Sequence, residues 1–152
     1  MGYYGIGQSV RRDEDPRLLK GRGTYVGDVT LPRQAYAYFL RSPHAHAEIT
    51  SLDVSAAKRS PGVLDVFVGD DVAADDLGTP GMVAKRKRPD GADMWAPPQT
   101  PLALGRVRYV GDPIALVVAE SVDEAKSAAE MISIEFNPLP SVTDTAQTIA
   151  PG

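Results

Sequence analysis

The stretch RSPHAHAEI (41–49) carries both histidines of a 152-residue chain, His44 and His46, two positions apart. On an extended backbone that spacing turns both imidazoles to one face. Such a pair suits half of a zinc site, or a general base beside its orienting partner. Zinc needs three or four ligands, and the nearest further candidates are Glu48 and Asp53. Asp53 lies an odd number of residues from both histidines, so a continuous strand points it away from them. With no third histidine and no cysteine in the chain, the pair reads as architecture, its ring nitrogens satisfying backbone carbonyls in a strand link. Ser42 beside His44 offers a nucleophile on paper. However, the G-x-S-x-G elbow that presents a catalytic serine is missing, and near-adjacent residues rarely act as nucleophile and base together.

Other charged and glycine-rich stretches give no stronger chemistry. GYYGIG and GRGTYVGD lack the G-x-G-x-x-G order of a dinucleotide site, and neither follows a strand pattern or opens a helix. The run KRKR (Lys85–Arg88) has no interleaved aromatic residue, Trp95 being seven positions further on. It reads as a solvated loop or a patch for an acidic partner. The pairs Asp70–Asp71 and Asp75–Asp76 lack the spacing of a calcium loop and read as helix-start charge, which suits the helix dipole. No catalytic, cofactor-binding or metal-ligating residue is assigned.

The elements that must carry these residues follow from pattern. Hydrophobic residues make up 43% of the chain, enough for the core of one domain, and 16 basic against 20 acidic residues leave a net charge of −4. That balance argues against a general nucleic-acid binder, and the lack of cysteine excludes a disulfide scaffold or an iron–sulfur cluster held by the chain itself. No apolar run is long enough to span a bilayer. Residues 1–34 are glycine- and charge-rich without a period and read as an extended arm, with a short strand near Thr24–Val26. Ala35–Arg41 is aromatic and apolar on both faces and reads as a buried strand. Pro43 ends it, leaving the histidines in the link to a second strand at about Ala47–Asp53. Ser55 is the expected N-cap of a short helix stopped by Pro61 and Gly62. Val63–Val68 alternates, with Leu64, Val66 and Val68 inward. Residues 69–101 form a long irregular excursion of the kind that commonly carries function or an interface. Ile114–Ala119 reads as a central strand. Ser121 and Glu124 open the helix Val122–Met131 with a capping box, and Ile132–Phe136 follows as a strand. Strand, helix and strand here suggest a right-handed crossover, and residues 49–68 have a shorter version of the same shape.

Several stretches in order resemble a known family: RRDEDPRLLKGRGTYVGDV, RSPHAHAEITSLD, PGVLDVFVGDD, PLALGRVRYVGDPIALVVAES and AAEMISIEFNPLPSV. They are similar to the N-terminal α/β-hammerhead domain of the molybdopterin-binding large subunit of xanthine dehydrogenases, aldehyde oxidases and aerobic carbon monoxide dehydrogenases. RPDG before PP is most like the carbon-monoxide-dehydrogenase branch. Glu48, where a basic residue is common, and FNPLP, in place of a tyrosine–glutamate form, depart from the pattern and leave the substrate branch open.

The resemblance implies an α+β hammerhead fold, a mixed β-sheet with two main helices and an extended N-terminal arm. It divides the chain into the arm (1–34), the hammerhead domain (35–145) and the start of a linker (146–152). It implies a cytoplasmic parent enzyme that oxidises or hydroxylates a small substrate. That enzyme would use molybdopterin cytosine dinucleotide or a related molybdenum cofactor, [2Fe–2S] clusters and FAD, none of them bound by this chain. The expected partners are the remainder of the molybdopterin-binding subunit, an iron–sulfur subunit and an FAD subunit, with no nucleic acid and no membrane. In the family the arm packs against neighbouring domains or the iron–sulfur partner, so Arg11, Arg12 and Arg17 are the expected polar anchors of an interface that includes Gly21, Gly23 and Tyr25. The alternative is a free-standing binding module that uses the 78–101 loop.

Overall fold

The computed structural model describes residues 12–76, 87–94 and 99–148. The backbone divides into two units, Met1–Gln34 and Ala35–Gly152.

The first unit is not extended throughout. Helix α1 (Asp15–Leu19) starts with Pro16 in its first turn, where a missing N–H costs nothing. Gly21 closes it at φ +65°: its N–H donates to Leu18 O (3.1 Å) and Arg22 N–H to Arg17 O (2.9 Å), a Schellman ending. In place of the expected strand near Thr24–Val26, a 3-10 turn spans Val26–Asp28, with the Asp28 carboxylate accepting the Tyr25 N–H at 2.9 Å. Gly23 has a steric reason to be glycine, since a Cβ there would collide with the Leu18 side chain.

The second unit contains two three-stranded antiparallel sheets. The first has the order β1 (Tyr36–Arg41), β5 (Pro113–Ala119), β3 (Val63–Val68), and the second the order β4 (Arg106–Val107), β2 (Ala47–Asp53), β6 (Ser133–Pro138). Helices α2 (Ser55–Lys58), α3 (Gly69–Ala74), α4 (Val122–Glu130) and α5 (Thr145–Thr148) complete it. Both strand–helix–strand segments cross from one sheet to the other: β2–α2–β3 runs from the second to the first, and β5–α4–β6 runs back. The expected mixed sheet and its parallel crossover are therefore replaced by two antiparallel sheets. The reason is occupancy. β1 and β3 fill both edges of β5, so β6 pairs with β2 instead.

β5 is the central strand its composition suggests. Ala115, Val117 and Ala119 face a core with Val66, Ala57 and the α4 alanines Ala125, Ala128 and Ala129. Ile114, on the opposite side, reaches a second core with Ala47, Ala103 and Val107. Helix α4 opens as expected, with Glu124 N–H on Ser121 Oγ, and its small face permits close approach to the first sheet. Three local expectations change. β1 is an edge strand, with Tyr38 and Phe39 substantially exposed. A bulge between Val63 and Asp65 shifts the alternation of β3, so Leu64 faces solvent while Val66 is fully buried. Helix α2 is preceded by Asp53, whose carboxylate accepts the Ser55 N–H (2.8 Å). Of the acidic pairs, Asp71 caps α3 through the Val68 N–H (2.8 Å), whereas Asp75 stands at the C-terminal cap and cannot serve as helix-start charge.

The sheet junction as a candidate interaction site

The two sheets meet where the β1–β2 link passes the β4–β5 link. Ser42, 3% exposed, is bound on every side. Its N–H donates to Asp112 O (2.9 Å), its carbonyl accepts the Gly111 N–H (2.8 Å), and its Oγ accepts the His44 N–H (2.9 Å). Asp112, 8% exposed, accepts the Arg108 N–H at 2.9 Å through Oδ2 and donates its own N–H to Tyr109 O at 3.2 Å. These bonds close the turn Arg108–Asp112 around Gly111, whose φ of +91° is a glycine conformation. The Arg41 guanidinium reaches Gly111 O at 2.9 Å.

Both histidines lie in this link, ahead of β2, and do not converge on a ligand set. His44 packs against the Phe136 ring at 4.7 Å. His46 places Nδ1 2.8 Å from Pro140 O; a carbonyl only accepts, so Nδ1 carries the proton there. Glu48 accepts Arg106 Nη2 at 2.9 Å and Asn137 Nδ2 at 3.2 Å. These donors, Asn137 first and Arg106 next, hold its carboxyl below its ordinary 4.5. Loss of water, then the Asp112 charge, raises the Tyr109 phenol above its ordinary 10.0. Next to this junction a groove of about 670 Å³ runs between the Arg106–Val110 segment and Pro140–Thr143. Its rims expose Tyr109 (56%), Val110 (66%) and Val142 (60%), and His46, Arg106 and Arg108 line it.

The arm residues expected to form an interface have simple surroundings. Arg12 lies near Glu14 (3.8 Å) and Asp15 (3.9 Å). Arg17 is exposed in α1, Gly21 and Gly23 shape its ending, and Tyr25 is exposed; Arg11 lies outside the described residues. Most of the 78–101 loop is also outside them. Of KRKR, Lys87 pairs with Asp93 (3.5 Å) and Arg88 lies near Asp90 (3.8 Å). The reading of the residues missed Arg108, Tyr109 and Asp112. Their signal was the G-D-P turn that follows Val110.

Among the described residues no three His, Asp or Glu side chains gather to hold a metal, and no helix is long and apolar enough to cross a membrane. Two features of the chain bear on the redox groups of the resembled enzymes. The chain has no thiolate for an iron–sulfur cluster. The N-terminus of α4 carries Asp123 and Glu124, which would repel the phosphate of a pterin dinucleotide or a flavin.

Comparison with known proteins agrees with this geometry. Residues 20–140 match the family model described as aldehyde oxidase and xanthine dehydrogenase, a/b hammerhead domain. The nicotine 6-hydroxylase large subunit of Paenarthrobacter nicotinovorans is 40% identical over 97% of this chain, and the carbon monoxide dehydrogenase large chain of Afipia carboxidovorans is 35% identical over 97%. The chain spans 17% of the length of each. Among solved structures, quinoline 2-oxidoreductase from Pseudomonas putida 86 superposes with a TM-score of 0.78 at 42% identity, over 91% of this chain and 17% of that one. The Cu,Mo-CO dehydrogenase superposes with a TM-score of 0.79 at 34% identity, over 97% and 17%. The two antiparallel sheets, the helices that pass between them and the matched span together place the chain in the aldehyde oxidase and xanthine dehydrogenase a/b hammerhead domain family.

Proposed function

We propose that this chain is the structural and interaction domain of a cytoplasmic molybdenum hydroxylase, of the carbon monoxide dehydrogenase, aldehyde oxidase or xanthine dehydrogenase type. In this reading it docks the molybdopterin-binding subunit to its partners and is not catalytic alone. The observation that carries the reading is the match of a whole folded unit to 17% of much longer large subunits. The described residues also hold no constellation suited to the parent chemistry. The molybdenum cofactor (molybdopterin cytosine dinucleotide or a related form), the [2Fe–2S] clusters and FAD belong to the remainder of the molybdopterin-binding subunit, the iron–sulfur subunit and the FAD subunit. The N-terminal unit supports a docking role with exposed apolar side chains at Leu19, Tyr25, Val26 and Leu31. A surface of that kind is characteristic of a contact, and the exposed Arg12 and Arg17 supply cations in the same unit.

Affinity purification of the tagged chain from its source cells tests this. The expected result is co-elution of molybdopterin-binding, iron–sulfur and flavin polypeptides, with molybdenum and iron in the eluate. Removing residues 1–34 should reduce their recovery. Elution of the chain alone, under conditions where those subunits are present in the lysate, would refute the reading.

A further inference from the structure

We propose that the groove beside the sheet junction is the seat of an acidic, apolar-flanked segment supplied by the remainder of the large subunit. This rests on the docking reading above and names the surface that performs it. Three observations select the occupant. The first is charge: the groove is lined by His46, Arg106 and Arg108 and by no carboxylate. Arg106 is half-spent on Glu48, whereas Arg108 forms no ion pair among the described residues. The His46 ring is fixed through Nδ1 on Pro140 O, which leaves Nε2 as an acceptor for a donor of the occupant, so the charge complementarity rests on the two arginines. In a domain of net negative charge, this local cationic lining complements a carboxylate.

The second observation is apolar exposure. Tyr109 and Val110 project from a turn locked by Asp112 and Gly111, and Val142 faces the same groove from the opposite rim. Large side chains held outward by a turn leave much of their apolar surface uncovered within the domain; they fit an occupant whose apolar residues flank its charge. The third is the size of what lies outside. The chain spans 17% of its curated relatives, so most of such a subunit is available to cover the groove. A second copy of this chain would present the same cations and meet like charge.

The experiment uses the assembled enzyme that contains this domain. A photo-crosslinking amino acid replaces Val110, and peptide mass spectrometry identifies what it captures. The expected capture is a segment of the same large subunit carrying Asp or Glu between apolar residues. Arg108→Glu, on an exposed side chain, should leave thermal melting of the domain unchanged and lower recovery of assembled enzyme about tenfold. Changing the captured carboxylate to Arg should restore that recovery. Capture of a second copy of this domain, of another subunit, or of nothing while the enzyme is intact overturns the groove proposal and leaves the docking reading standing. Failure of the domain to co-purify with any enzyme subunit overturns both.

Discussion

Replacing Asp112 by Ala removes the carboxylate that closes the Arg108–Asp112 turn between β4 and β5. The side chain is 8% exposed, and its Oδ2 holds the Arg108 N–H at 2.9 Å, a bond to an ionised acceptor. Such a bond contributes about 2 kcal/mol. The backbone bonds of Asp112 to Ser42 and Tyr109 survive the substitution, so the loss falls on that donor, the turn it closes and the interaction of the carboxylate with the Tyr109 phenol. At about 4 °C per kcal/mol for a domain of this size, melting should fall by about 8 °C. Asp112→Asn keeps an acceptor of the same shape and should lose about half as much. Thermal unfolding followed by circular dichroism measures the shift, and hydrogen exchange gives a second readout: the Arg108 amide should lose protection in the Ala variant while the Val117 amide keeps it. Melting of Asp112→Ala within about 0.5 kcal/mol of the parent would show that the carboxylate does not hold the junction.

Three further outcomes follow from the same structure. Val117→Asp puts a charge into a fully buried site on β5, and the uncompensated cost of about 3–5 kcal/mol or more should abolish cooperative melting; an unchanged transition would refute the central position of β5. Gly62 sits at φ +74°, where a Cβ would run into the Glu124 carboxylate, so Gly62→Ala should cost about 1–2 kcal/mol in chemical denaturation, and an equal midpoint would refute that packing. Glu48, lowered by Asn137 and then Arg106, titrates below 4.5. Its ionised form is therefore favoured by folding, and its contribution is present above 4.5 and lost as the pH falls through the folded value. A carboxyl NMR titration of Asn137→Ala should move the midpoint upward, and no movement would refute the bond.

Some of the fold was written locally. The capping box of Ser121 and Glu124, the apolar run of β5 and the link at Pro43 each depend on residues within one or two turns of chain, and each stands where its pattern placed it. What the pattern could not contain was which strand neighbours which. Aromatic β1 has the composition of a buried strand, yet it pairs on one side only and lies at an edge. Leu64 has the right parity to face inward, but the bulge at Val63–Asp65 is set by the pairing with β5. The crossover expectation assumed a free edge on β5, and two antiparallel neighbours remove it. In every case the deciding partner is distant in sequence.

The same distance hid the junction. Its groove draws on the β1–β2 link, the turn before β5 and the segment after β6, separated by dozens of residues. Each part has a bland explanation alone: a histidine in a strand link, an arginine on a short strand, a valine after a proline. Only the fold makes them converge, because the arginines and the exposed valines line one groove when the three segments meet. The two histidines meet separate partners, His44 the Phe136 ring and His46 the Pro140 carbonyl. His46 donates to Pro140 O and so ties the segment after β6, one rim of the groove, to the link before β2. Among the described residues His44 and His46 do not share a ligand set with a third side chain; the polar bond of the motif joins two segments that line the groove.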